Sequence, residues 1–261
     1  MTHQHRKAIE KLVRLHKDNP VNIALIICGS LAACTARPES DVDLYLVVTD
    51  DEVARIGKSK SWFYGSWNPE EFFGVEIDGK IIGMDFLRQA VAQASEPTRA
   101  SFQDACTLFS HNPEVDNLIG KIAVYPSWDR EKRIKAFYGY TRHYRYVGED
   151  AFKSGDRFLI THCLVELVFF ASRLVLAHNR VLYPCHKSLF KALEKCREIP
   201  DGFITESRQL IGEGNVKSMI AYYDKVAGYF AEYDYPDKER IGRILENEWT
   251  WYTKEMTMSE W

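Results

Sequence analysis

The feature that most constrains this chain is a change of period near its middle. Up to about residue 113, short runs rich in β-branched and apolar residues alternate with Gly, Pro and Asn breaks. From residue 114 onward the apolar residues recur only at helical spacing. Such a chain is expected to fold as α+β. A small mixed sheet with flanking helices occupies residues 1–120 and an all-helical bundle follows over 121–261, with the boundary falling within 115–128. At 261 residues with 46% hydrophobic side chains, the chain is long enough to bury its cores without covalent staples.

In the first part, residues 2–19 carry Ile9, Leu12, Val13 and Leu15 on one helical face and stop before Pro20. Residues 22–28 read as a buried strand, 31–36 as a short helix, 43–49 as a second strand and 50–56 as another short helix. Residues 57–71, with Trp62, Phe63, Tyr64 and Trp67, read as an irregular aromatic loop that packs between the two halves. Asp78-Gly79 lies between apolar runs 73–77 and 80–87, a pattern that predicts a β-hairpin, and 106–110 gives one more strand. Helices are expected over 114–122, 129–150, 156–178, 186–197, 203–211, 215–232 and 236–256.

Charge and composition exclude several classes. A net charge of −3 lacks the basic excess of a general nucleic-acid coat. Residues 201–261 hold 12 acidic against 7 basic side chains, which reads as a solvated helical surface. None of the six cysteines forms a C-x-x-C pair, as expected of reduced thiols in a cytoplasmic protein. The longest apolar stretch, 158–177, contains His162, Glu166 and Arg173, so a buried helix is expected rather than a membrane span. Residues 1–11 are polar and charged, without the apolar core of a signal peptide.

The chemistry concentrates at the first two strands. Strand 22–28 runs into Gly29-Ser30 at the start of a helix, where a bare Cα and a hydroxyl suit a bulky anion. After ten intervening residues comes Asp41-Val42-Asp43. Positions i and i+2 of a strand share a face, so two carboxylates stand side by side and repel unless a cation joins them. Carboxylate oxygens plus substrate phosphates are what Mg²⁺ prefers. Asp85, a lone acid in the apolar run 81–87, is expected on a strand beside Asp43 as a third carboxylate, binding metal or taking a proton. Glu76 and Asp78 rank below it, Asp78 because it serves the turn and Glu76 because it suits a solvent face.

Gly29, Ser30, Asp41, Asp43 and Asp85, with their spacing and apolar flanks, together resemble the DNA polymerase β-like nucleotidyltransferase superfamily. The resemblance covers residues 22–87, about a quarter of the chain. It implies that Gly29 and Ser30 hold a triphosphate, with ATP as the default donor. It implies that Asp41, Asp43 and Asp85 serve metal binding and catalysis, with Mg²⁺ as the ion. The helical second part is similar to that of bacterial aminoglycoside and lincosamide nucleotidyltransferases, where a bundle helps form the acceptor pocket. This implies transfer of AMP to a hydroxyl of a small acceptor, with pyrophosphate released. Transfer to a protein or tRNA, as in toxin–antitoxin systems, and a non-catalytic nucleotide-binding module are the alternatives.

Segment 176–187 resembles a loop of relatives of these enzymes in which a Lys following an Asn-Arg and a Pro starts a helix; the analogy implies that Lys187 touches the phosphates, the alternative being a solvated Lys in a helix's first turn. Asp156 is expected chiefly as a helix N-cap. Arg173-x4-His178 resembles the Arg-x4-6-His motif of helical ribonucleases, although Leu174 stands where those enzymes carry a polar residue.

Overall fold

The structure, a computed structural model, describes residues 1–68, 70–249 and Tyr252. Two compact units divide between Tyr125 and Pro126.

The first unit contains α1 (His3–His16), β1 (Asn22–Ile27), α2 (Gly29–Ala32), β2 (Val42–Val48), α3 (Asp50–Ser59), β3 (Phe63–Ser66), β4 (Ile77–Gly83), α4 (Met84–Gln93), α5 (Glu96–Ser101), β5 (Cys106–Ser110) and α6 (Glu114–Ile122). The strands form one sheet in the order β3-β4-β2-β1-β5. β2 and β4 run parallel, and every other neighbouring pair is antiparallel.

Period-two alternation sorts the strand side chains onto two cores. Leu25 and Ile27 of β1 join Val42, Leu44, Leu46 and Val48 of β2 on one face, under α1 (Ala8, Leu12), α2 (Leu31) and α3 (Ile56). Ala24, Ile26 and Cys28 join Tyr45, Val47 and Ile82 on the other, under α4 (Met84, Leu87, Ala90) and α6 (Val115, Ile119, Ile122). β2 is apolar at nearly every position because it is central and covered on both sides. By the same alternation Asp43 projects from the face of Tyr45 and Val47, at the opening end of the strand.

A buried Arg99 ties the helices of that second face together. Its guanidinium donates to the carbonyls of Val91 (2.9 Å), Ala94 (3.0 Å), Ile122 (3.2 Å) and Val124 (3.4 Å), which close α4 and α6.

The segment 57–87 departs from the sequence expectation. Asp78-Gly79 is not a turn: β4 runs straight through it, paired in parallel with β2 and antiparallel with β3. Gly79 is required by crowding, since a Cβ there would lie 2.5 Å from the Tyr64 carbonyl and 2.7 Å from Leu44 Cδ1. The antiparallel partner β3 comes from the supposed aromatic loop. There Phe72 is buried, while Trp62, Phe63 and Trp67 are exposed. The expected strand over 80–87 ends at Gly83, which caps α4, and α5 escaped the sequence reading.

The second unit is helical: α7 (Arg130–Ser154), α8 (Arg157–His178), α9 (Leu189–Leu193), α10 (Phe203–Glu213), α11 (Val216–Tyr229) and α12 (Asp237–Glu248), with short 3-10 turns at Ser127–Asp129, His186–Ser188 and Ala231–Tyr233. The part of the expected helix 236–256 beyond Trp249 lies, Tyr252 apart, outside the described residues. Gly155, in the left-handed region, ends α7, and Asp156 caps α8 by accepting from the amides of Phe158 and Leu159. The expected N-cap role is thus observed. α8 is long and apolar enough to cross a membrane by length and composition alone. Eleven of its residues, including Leu164, Leu167, Ala171 and Leu174, are buried within the protein.

Candidate active site

Three carboxylates converge at the opening ends of β2 and β4. Parallel register sets Asp43 directly opposite Asp78, and Asp41 stands two residues before Asp43. One oxygen from each lies within 4.8 Å of the others. Asp41 and Asp43 are half-buried and Asp78 is exposed. The site therefore has a protein-facing floor and an open side.

The floor is built by Gly29. Its φ of +64° lies in the left-handed region, and a Cβ there would sit 2.0 Å from Asp43 Oδ2. The bare Cα thus makes room for the Asp43 carboxylate. The Cys28 amide donates to the Asp43 carbonyl at 2.9 Å, which holds the end of β1 and the start of β2 in register. α2 is a single turn, Gly29–Ala32. What it offers an anion is the close backbone approach at Gly29 and the Ser30 hydroxyl, buried with no hydrogen-bond partner among the described residues.

The acidic cluster is visible in its neighbours. The Cys28 thiol is pushed up to about 12, chiefly by burial, with Asp43 contributing to the rise, Lys80 opposing it, and Asp78 and Asp41 adding smaller shares. Lys80 shares the strand face of Asp78, two positions along, and its ammonium lies 5.4 Å from the centre of the Tyr45 ring. Burial likewise raises the Tyr45 hydroxyl to about 12, and that hydroxyl pairs with Ser101 Oγ at 2.8 Å.

Of the residues expected at the site, Asp41, Asp43, Gly29 and Ser30 come together. Asp85 does not join them. It stands exposed in the first turn of α4, beyond the far end of β4. From Asp78 to Gly83 alone is five residues of strand, about 17 Å. Asp85 instead accepts from the Gln89 side chain one helical turn on. Asp78, set aside as a turn residue, occupies the third position. Glu76 is exposed, as expected, and its carbonyl accepts from Val42 at 2.9 Å.

Lys187 lies exposed on the 3-10 turn of the second unit. Arg173 packs against Tyr183 (4.3 Å), Phe137 (4.5 Å) and Phe169 (5.7 Å). His178 pairs with Glu198 (2.7 Å) and Tyr233 (2.9 Å). Each side chain of the ribonuclease-like motif therefore has its own packing partners.

The carboxylates supply only hard oxygen donors, the set suited to Mg²⁺ or a similar cation and unsuited to soft metals. Three like charges this close call for a positive partner. With Ser30 Oγ and the cradle at Gly29, the residues present fit a divalent cation carrying phosphates.

No protein-family model matches the chain, and no curated protein does. Among solved structures, one described as a nucleotidyltransferase-like protein from Exiguobacterium sibiricum 255-15 superimposes with a TM-score of 0.51 at 11% identity, over 87% of this chain and 75% of that one. This chain thus shares with that protein its fold, a mixed five-stranded sheet followed by helices.

Proposed function

We propose that this protein is a metal-dependent nucleotidyltransferase that moves AMP from ATP to a hydroxyl of a small acceptor and releases pyrophosphate. The observation that carries the reading is the convergence of Asp41, Asp43 and Asp78 within 4.8 Å beside the Gly29–Ser30 cradle. The fold shared with a nucleotidyltransferase-like protein supports it.

Asp41, Asp43 and Asp78 would hold the cation. When bound, a divalent cation neutralises phosphate charge and helps pyrophosphate leave. Gly29 admits a phosphate close to the backbone, and Ser30 donates to its oxygen. Asp78, the most exposed of the three carboxylates, takes the proton from the acceptor hydroxyl. The acceptor oxygen then bonds to the α-phosphorus as the bond from that phosphorus to the β-phosphate oxygen breaks.

The test is pyrophosphate release from Mg·ATP with a panel of aminoglycosides and lincosamides, beside α-labelled ATP offered with protein and RNA acceptors. Turnover lost in Asp43→Asn and Asp78→Asn supports the reading. Full turnover in either variant, or no binding of Mg·ATP by the native protein, would overturn it.

A further inference from the structure

β3 is shorter than β4, and the mismatch opens a groove. β3 pairs with β4 only from Ile77 to Lys80, and the Trp62 carbonyl then accepts from the Ile81 amide at 2.8 Å. Beyond that bond, among the described residues, no strand lies outside Ile82 and Gly83. The gap forms a cavity of about 590 Å³ between α3 and α4, within the range of small-molecule pockets. Its walls are mostly apolar, and two large rings frame it: Trp62, 42% exposed, and Phe86, 41% exposed.

Charge is graded along the groove. Lys80 lines the end nearer Asp78, two strand positions or about 7 Å away. Asp50 and Asp85, in the first turns of α3 and α4, line the other end. The nearby cation Arg88 is bonded to Glu114 at 2.7 Å, on α6. A ligand with an amine is attracted to the Asp50–Asp85 end and repelled from Lys80. Its remaining end then points toward Asp78.

We infer that this groove seats the acceptor, an amine-bearing molecule with a flat or apolar ring body. Its amine meets Asp50 and Asp85, its body lies between Trp62 and Phe86, and its hydroxyl reaches past Lys80 to Asp78. The inference rests on the nucleotidyl-transfer reading for the word acceptor, and on the groove alone for the amine site. Asp85 thereby has a place in recognition although it is remote from the carboxylate cluster.

The experiment is an NMR titration of the full-length protein with tryptamine and with indole-3-propionate, which present one ring body with opposite charge. Tryptamine should shift the Trp62 indole, the Gly83 amide and the Gln89 side-chain amide, and bind about tenfold or more tighter than indole-3-propionate. The double variant Asp50→Asn, Asp85→Asn should erase that preference while Trp62 still responds. A Gln89→Trp variant, filling the groove from its exposed rim, should abolish both titrations. Saturating Mg·ATP should leave tryptamine affinity within about twofold, because donor and acceptor must be held together. Shifts confined to other regions, equal affinity for both probes, or displacement of tryptamine by Mg·ATP would each overturn the assignment. Tryptamine binding in a protein that does not bind Mg·ATP would remove the acceptor role and keep the amine site.

Discussion

At the scale of single residues, the contrast between Asp78 and Asp85 carries the sharpest test. Asp78→Asn should weaken Mg²⁺ binding as strongly as Asp43→Asn, whereas Asp85→Asn should retain native Mg²⁺ affinity in calorimetric titration. Asp43→Asn should also keep or slightly raise the melting temperature, because it relieves repulsion among like charges. Gly29→Ala should do the opposite: the left-handed backbone costs an alanine about 1–2 kcal/mol, and its methyl group displaces the Asp43 carboxylate. A lower melting temperature together with lost Mg²⁺ binding is the expected result. Burial holds the thiols of Cys28 and Cys196 at about 12 and about 11. At pH 8.5 both should resist iodoacetamide while exposed Cys34 and Cys106 react, as mass spectrometry would show. The pair Asp41 and Asp43 was legible because alternation puts i and i+2 on one face. Asp78 was not, because Asp-Gly signals a turn far more often than a glycine admitted for packing, and only the neighbouring strands reveal the crowding.

At the scale of elements, the flanking helix α1 and the central strands β1 and β2 were readable, since continuous apolar runs belong to strands covered on both faces. The misplaced part was 57–87, where the competing signals are local and weak. Met84, Leu87 and Ala90 recur at helical spacing after Gly83, and that spacing was the available clue to α4. β3 is an exposed edge strand of four residues, and little in its composition separates it from a loop. Two substitutions test this architecture. Gly79→Val pushes a side chain against Tyr64 and Leu44 and should cost about 1–3 kcal/mol in denaturant unfolding. Arg99→Ala strands the carbonyls that close α4 and α6, and the expected cost is roughly 3–5 kcal/mol.

At the scale of the whole molecule, the chain divides into two units between Tyr125 and Pro126. The first unit holds two buried clusters of its own, one on each face of its sheet, so residues 1–125 made alone should give a cooperative thermal transition by circular dichroism. A gradual, featureless melt would contradict this. Within that unit the sheet is assembled out of chain order, and its outermost antiparallel partner comes last: Ile26 of β1 pairs with Thr107 of β5, 81 positions later (107 − 26). Ribosomes add about 5–20 residues per second, so a nascent β1 waits roughly 4–16 seconds before the strand that seals its outer rim has been synthesised. During that interval an apolar strand has an unpaired side open to any other extended chain. Slow translation just upstream of β5 should therefore trap this protein in aggregates, read as a fall in its soluble yield.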